Sequence, residues 1–163
     1  MNKIIDLNNK FKIQLLIATL FFLFCFTIVF PLLFINYFSF SGFGYFFGQN
    51  IMYGIFSGII FCYFIVQGNY FYNIHIDSYL VKITSFRPVF FLFKKKSYID
   101  IPHSMIIDFK IFNRPFSFNK ELIIEIENAK GIIIAKRFNL TLISNKETQN
   151  LSFALEKIIA KNR

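Results

Sequence analysis

Tryptophan is absent from this 163-residue chain, and cysteine occurs only twice. Cys25 and Cys62 stand alone, with no CxxC pair and no Cys/His spacing, so the chain carries no metal or redox signal. Both lie inside apolar runs, where a thiol behaves as a small hydrophobe. Acidic residues are also scarce, nine against eighteen Lys and Arg, which leaves a net charge of +9. No helix-turn-helix or stacking-strand motif accompanies that charge, so nucleic acid is not an expected partner. Catalytic constellations are missing too. No serine sits in a G-x-S-x-G elbow, and no pair of carboxylates stands apart from ordinary strand-face charge. His75 and His103 lack ligand-like neighbours, and Pro102 between Asp100 and His103 forbids a helical dyad. An enzyme, a cofactor and a metal are therefore not expected.

The most informative absence is positional. Between Lys12 and Asp77 there is no charged residue of either sign. What fills that gap is apolar: the chain is 55% hydrophobic and 21% aromatic, with 26 phenylalanines and a mean hydropathy of +0.51. Heavy use of Phe, Ile, Asn and Lys is the mark of an AT-rich genome, and Phe in place of Leu changes little in hydrocarbon. The first run, IQLLIATLFFLFCFTIVFPLLFINY from Ile13 to Tyr37, would reach about 37 Å as a helix. That exceeds the roughly 30 Å of a bilayer core, and the run is too long for the apolar region of a cleaved signal peptide. Pro31 is placed to kink its last third. A second run, IMYGIFSGIIFCYFIV from Ile51 to Val66, extends at its ends to a helix of about 50–68. The Gly- and aromatic-rich stretch between the two runs suits a turn at headgroup level.

These runs predict a transmembrane hairpin over 13–68, with helices at about 13–37 and 50–68, preceded by a cytoplasmic segment over 1–12. Gly54, Ser57 and Gly58 form a small face for helix packing, against the first helix, a second copy or a larger assembly. Lys3, Lys10 and Lys12 precede the first helix and fifteen Lys and Arg follow the second. Both termini are therefore expected on the cytoplasmic side of the membrane. With no ionisable group inside the spans, a pore or pump acting alone is not expected.

From residue 69 to 163 the pattern changes to short alternating segments. Tyr72, Ile74 and Ile76 alternate with Asn73, His75 and Asp77, a half-buried strand. Further strands are read at Tyr79–Phe86, Val89–Phe93, Tyr98–Ile101 and Met105–Phe112, and a hairpin pairs Glu121–Glu127 with Ile132–Phe138. Ser144 and Glu147 form a capping box before a helix whose stripe is Leu151, Ala154, Leu155, Ile158 and Ile159. The expected fold is a transmembrane helical hairpin plus a small antiparallel β barrel or sandwich closed by a C-terminal helix.

The segments YIDIPHSMIIDFKIF and FNLTLISNKETQNLSFALEKI, behind a membrane hairpin, resemble the bacterial pleckstrin-homology-like membrane proteins. Ile101, Pro102, Ile106 and Phe109 match the family's I-P-x-x-x-I-x-x-F stretch. The resemblance implies a pleckstrin-like domain and transfers no catalytic residue.

Two groups of residues suit contact with the membrane surface or a partner. Lys94, Lys95 and Lys96 could lie on anionic lipid, at about 1 kcal/mol each, or simply be a solvated strand end. The loop carrying Arg114, Phe116, Phe118 and Lys120 alternates basic and aromatic residues and could dip into the interface or close the domain. The function these features imply is a non-enzymatic membrane-anchored module that binds a protein partner or the inner-leaflet surface. The alternative is an accessory subunit of a larger membrane enzyme or transporter, and homo-oligomerisation is compatible with either.

Overall fold

The computed structural model describes residues 5–38, 40–49, 51–87, 96–115, 117–128 and 130–162. The chain divides into two units. One is the apolar stretch Gln14–Gly68, and the other joins the residues up to Ile13 with those from Asn69 onward.

The apolar unit is helical. Helix α1 (Lys10–Phe24) runs through a π turn (Cys25–Val29) into α2 (Phe30–Tyr37). Together they form one 28-residue helix from Lys10 to Tyr37, long and apolar enough to cross a membrane. Pro31 explains the π turn. It has no N–H to donate, and its ring crowds the carbonyl of Thr27 four residues earlier, so the helix widens just ahead of it. The expected connecting turn is instead a short helix, α3 (Gly42–Gln49), whose start is capped by the Ser41 hydroxyl accepting from the Gly44 N–H at 3.1 Å. Helix α4 (Ile51–Gln67) is apolar and uncharged. Its 17 residues reach about 26 Å, somewhat short of a bilayer core.

The second unit holds all seven described strands and the last helix. Strands β1 (Ile5–Asn8), β2 (Phe71–Ile76), β3 (Leu80–Phe86) and β4 (Lys96–Pro102) form one antiparallel sheet in that order. Strands β5 (Ile106–Asn113), β6 (Asn119–Glu127) and β7 (Ile133–Thr141) form a second. Turn chemistry sets the hairpins. Asp77 accepts from the N–H groups of Tyr79 and Leu80 between β2 and β3, while Asn128 accepts from Lys130 and Ile132 between β6 and β7. Gly131 takes the positive φ of 74° that the second turn requires.

No closed barrel forms among the described residues. Pro102 ends β4 because it cannot donate to the ladder. A 3-10 turn (His103–Met105) then carries the chain to the second sheet, where a bulge between Ile106 and Asp108 shifts the register of β5. Strand β7 packs against β2, β3 and β4, and the Ser85 hydroxyl donates to the Asn139 carbonyl at 2.8 Å.

Helix α5 (Asn145–Asn162) covers the core as its stripe predicts, with Leu151, Leu155 and Ile158 buried. The capping box is present in both directions. The Glu147 N–H donates to Ser144 Oγ at 3.1 Å, and the Ser144 N–H donates to Glu147 Oε2 at 2.7 Å. At its other end, Asn162 Nδ2 donates to the carbonyls of His103 and Ile106, tying the helix to the turn between the sheets. Ile74, Ile83, Leu122, Ile124, Phe138 and Leu140 are fully buried beneath it.

One element was not anticipated. The segment over 1–12, read from sequence only as a cytoplasmic segment ahead of the first helix, supplies β1. It pairs with β2 in the register Ile5↔Ile76 to Asn8↔Asn73. The strand read at Val89–Phe93 lies outside the described residues.

Candidate functional site

Asn9 follows β1 and is almost fully buried, at 1% exposure. Its Nδ2 donates to the carbonyls of Tyr70 at 2.9 Å and Thr141 at 2.8 Å, and its Oδ1 accepts from the Tyr72 N–H at 2.8 Å. Thr141 extends the network, since its hydroxyl accepts from the Tyr70 N–H at 2.8 Å and donates to Asn119 Oδ1. Leu142, at a positive φ of 58°, gives its N–H to the Phe118 carbonyl. Four segments thus meet at one end of the β-domain: the exit into the apolar unit, the return from it, the β5–β6 loop and the end of β7. Sequence reasoning missed Asn9, Asn119 and Thr141. The available signal was the alternation of Ile5 and Leu7 with Asp6 and Asn8, over only four residues.

Lys12 reinforces this end. Its ammonium lies 3.0 and 3.1 Å from the two Glu147 carboxylate oxygens and 3.4 Å from the Leu142 carbonyl. Partial burial alone would raise the Glu147 carboxyl. The Ser144 N–H and the Lys12 ammonium outweigh it and hold the group below its usual value. A carboxyl lowered in the folded state stabilises the fold above its unfolded pKa, and that contribution is lost as pH falls through the folded value. Because Lys12 and Glu147 keep substantial exposure, the pair is worth about 0.5–1 kcal/mol. Glu147→Gln should therefore lower stability at neutral pH by that amount. In urea titrations the gap to the parent protein should close below the ordinary carboxyl value of 4.5. A gap that persists in acid would exclude the ion pair as its source.

The anticipated contact residues divide in the structure. Phe118 is exposed beside this junction, with a shallow cleft of about 350 Å³ between it, Ser117, Leu142 and Ile143. The Lys120 ammonium reaches Asn145 Oδ1 and Thr148 Oγ1, and Arg114 lies 3.4 Å from Glu121. Lys94, Lys95 and Phe116 lie outside the described residues. The backbone of Lys96 opens β4 and pairs with Phe86, which itself pairs with Phe71 at the start of β2. The β3–β4 connection therefore begins and ends near the same junction. In the apolar unit, Gly54 faces the other helix, since a Cβ there would meet the Thr27 carbonyl at 3.4 Å, whereas one on Gly58 would meet nothing within 4 Å. Ser57 is buried and donates to the Gly54 carbonyl.

A larger cleft of about 550 Å³ lies between β1 and α5. Ile5, Leu7, Ile76, Ala154 and Ile158 line it, and Phe153 is exposed at its lip. Its polar rim has acids on the sheet side, Asp6 and Asp77, and bases on the helix side, Lys157 and Lys161. The backbone N–H groups of Tyr79 and Leu80 hold the Asp77 carboxyl below its usual value, so it stays ionised. His103 lines the cleft, and its Nε2 is buried without a hydrogen-bond partner among the described residues.

Among the described residues no group of three or more His, Cys, Asp or Glu could hold a metal ion. Cys25 and Cys62 are free thiols in the apolar unit. Among the described residues, His75 approaches Asp77 to 4.0 Å at the surface. No family model, no curated protein and no solved structure matches the chain.

Proposed function

We propose that this protein is a non-enzymatic module anchored in a membrane by a two-helix hairpin, with a pleckstrin-homology-like β-domain held on the cytoplasmic side. The observation that carries the reading is the pairing of β1 with β2. These strands flank the entire apolar stretch Gln14–Gly68 and share one sheet, so both lie in one compartment. If Lys10–Tyr37 crosses the bilayer, the chain must cross again before Phe71, and α4 is the apolar helix available for the return. The close approach of Gly54 to the Thr27 carbonyl supports the two helices packing as a pair. Lysines at the entry and basic residues after the exit, with none between, favour the cytoplasmic side for the β-domain. A four-stranded and a three-stranded sheet with one C-terminal helix support the pleckstrin-like likeness.

On this reading the β-domain binds rather than catalyses. The β1–α5 cleft suits an extended protein segment, with apolar side chains on its floor, an acidic group toward Lys157 and Lys161, and a basic group toward Asp6 and Asp77.

Topology mapping tests the anchor. In a chain with Cys25 and Cys62 replaced by serine, Gln49→Cys should react with a membrane-impermeant maleimide on intact bacterial cells. Lys157→Cys should react only after permeabilisation. Equal labelling of the two positions before permeabilisation would overturn the reading.

A further inference from the structure

Resting on that reading, we infer that Phe118, at the tethered end of the β-domain, inserts into the interfacial layer of a bilayer. The argument starts from attachment. The chain enters the apolar unit after Ile13 and leaves it before Asn69, and each point lies within a few residues of the Asn9–Thr141–Asn119 network. Tyr70 is bonded directly to Asn9 and Thr141. Phe118 immediately precedes Asn119, and its carbonyl holds the Leu142 N–H. Both covalent attachments to the apolar unit therefore leave the β-domain at the end that carries the β5–β6 loop.

The loop's chemistry matches that place. Phe118 is 56% exposed, and an aromatic ring beside basic side chains suits the headgroup boundary. Lys12, which reaches the Leu142 carbonyl, and Arg114 and Lys120, on the same loop and the strand it opens, add positive charge at this end that can face phosphate groups, although each also has a contact within the protein. Exposure alone does not distinguish Phe118, because Ile133 at the far end of β7 is 61% exposed. Position does. Ile133 opens the nine-residue strand that ends at Thr141, so it stands roughly 27 Å from the junction.

The absence of tryptophan makes the test direct, because one introduced indole is then the only one in the protein. The full chain would be placed in nanodiscs of phosphatidylcholine and phosphatidylglycerol, with and without bromine on the acyl chains. Three variants are compared: Phe118→Trp, Ile133→Trp and, inside α1, Phe21→Trp. Phe21→Trp and Phe118→Trp should lose at least half their emission in the brominated discs, and Ile133→Trp should keep nearly all of it. Emission from Phe118→Trp that matches Ile133→Trp, while Phe21→Trp is quenched, would overturn the inference and leave the anchor intact. An unquenched Phe21→Trp would overturn both. Should Phe118→Trp misfold, a nitroxide on Ser117→Cys, in the chain free of Cys25 and Cys62, reads the same position. Relaxation dominated by oxygen supports insertion, and relaxation dominated by a water-soluble nickel chelate overturns it.

Discussion

Asn9→Ala is expected to lower the stability of the β-domain by about 3 kcal/mol, near the upper end for a single substitution. The side chain makes three hydrogen bonds, all to backbone groups at the junction. Alanine would leave the Tyr72 N–H and the carbonyls of Tyr70 and Thr141 short of partners in a site without room for bulk water. Leaving such a group unpaired costs about 1–3 kcal/mol, and relaxation recovers part of the sum. Asn9→Asp is the informative companion. It keeps an acceptor for Tyr72 but loses both donations, so it should also destabilise, and more so where the carboxyl is ionised. Urea unfolding in detergent measures the loss, and hydrogen exchange at the Tyr72 amide localises it. A change below about 1 kcal/mol would mean that this network does not hold β1 in place.

The second large effect concerns the apolar unit as a whole. If the apolar unit is a membrane anchor, replacing residues 14–68 with a Gly/Ser linker of about ten residues, whose mean span is roughly 18 Å, should yield a soluble protein. Asn9 already contacts Tyr70 and Tyr72 across the gap, so the linker only has to close a hairpin whose strands are paired. The shortened protein should move from the membrane fraction to the soluble fraction. It should also unfold cooperatively, with strand-rich circular dichroism. Aggregation without cooperative unfolding would show that the β-domain does not fold independently of the apolar unit. Persistent sedimentation with membranes, despite cooperative unfolding, would show that the junction surface around Phe118 and Lys12 binds lipid strongly by itself.

Much of this protein was legible before any coordinates. A charge-free stretch from Ile13 to Ile76, with its first run longer than a bilayer core, marks an apolar helix by composition alone. The alternation at Tyr72–Ile76 and Glu121–Glu127, and the Ser144–Glu147 box before an apolar stripe, encode strands and a helix within a few residues of chain. Such signals are local, because the period of the side chains and the capping groups are fixed by neighbours in sequence. The connecting helix α3 escaped because its glycines and aromatics suit a turn as well as a helix, and only the Ser41 cap decided between them.

The sequence by itself therefore determined a long apolar helix, the strands described between Phe71 and Thr141, and the final amphipathic helix. Tertiary structure alone decided that the first strand belongs to the β-domain. Four residues of alternation around Asp6 carry too little information to name a partner 65 or more residues away, and the pairing becomes favourable only when β2 presents its edge. Tertiary structure also decided that Asn9, Tyr70, Asn119 and Thr141 meet. A buried amide is driven to satisfy its donors and acceptors, but which carbonyls it finds depends on where distant segments of the chain end. From that meeting follows the position of Phe118 beside the two ends of the apolar stretch.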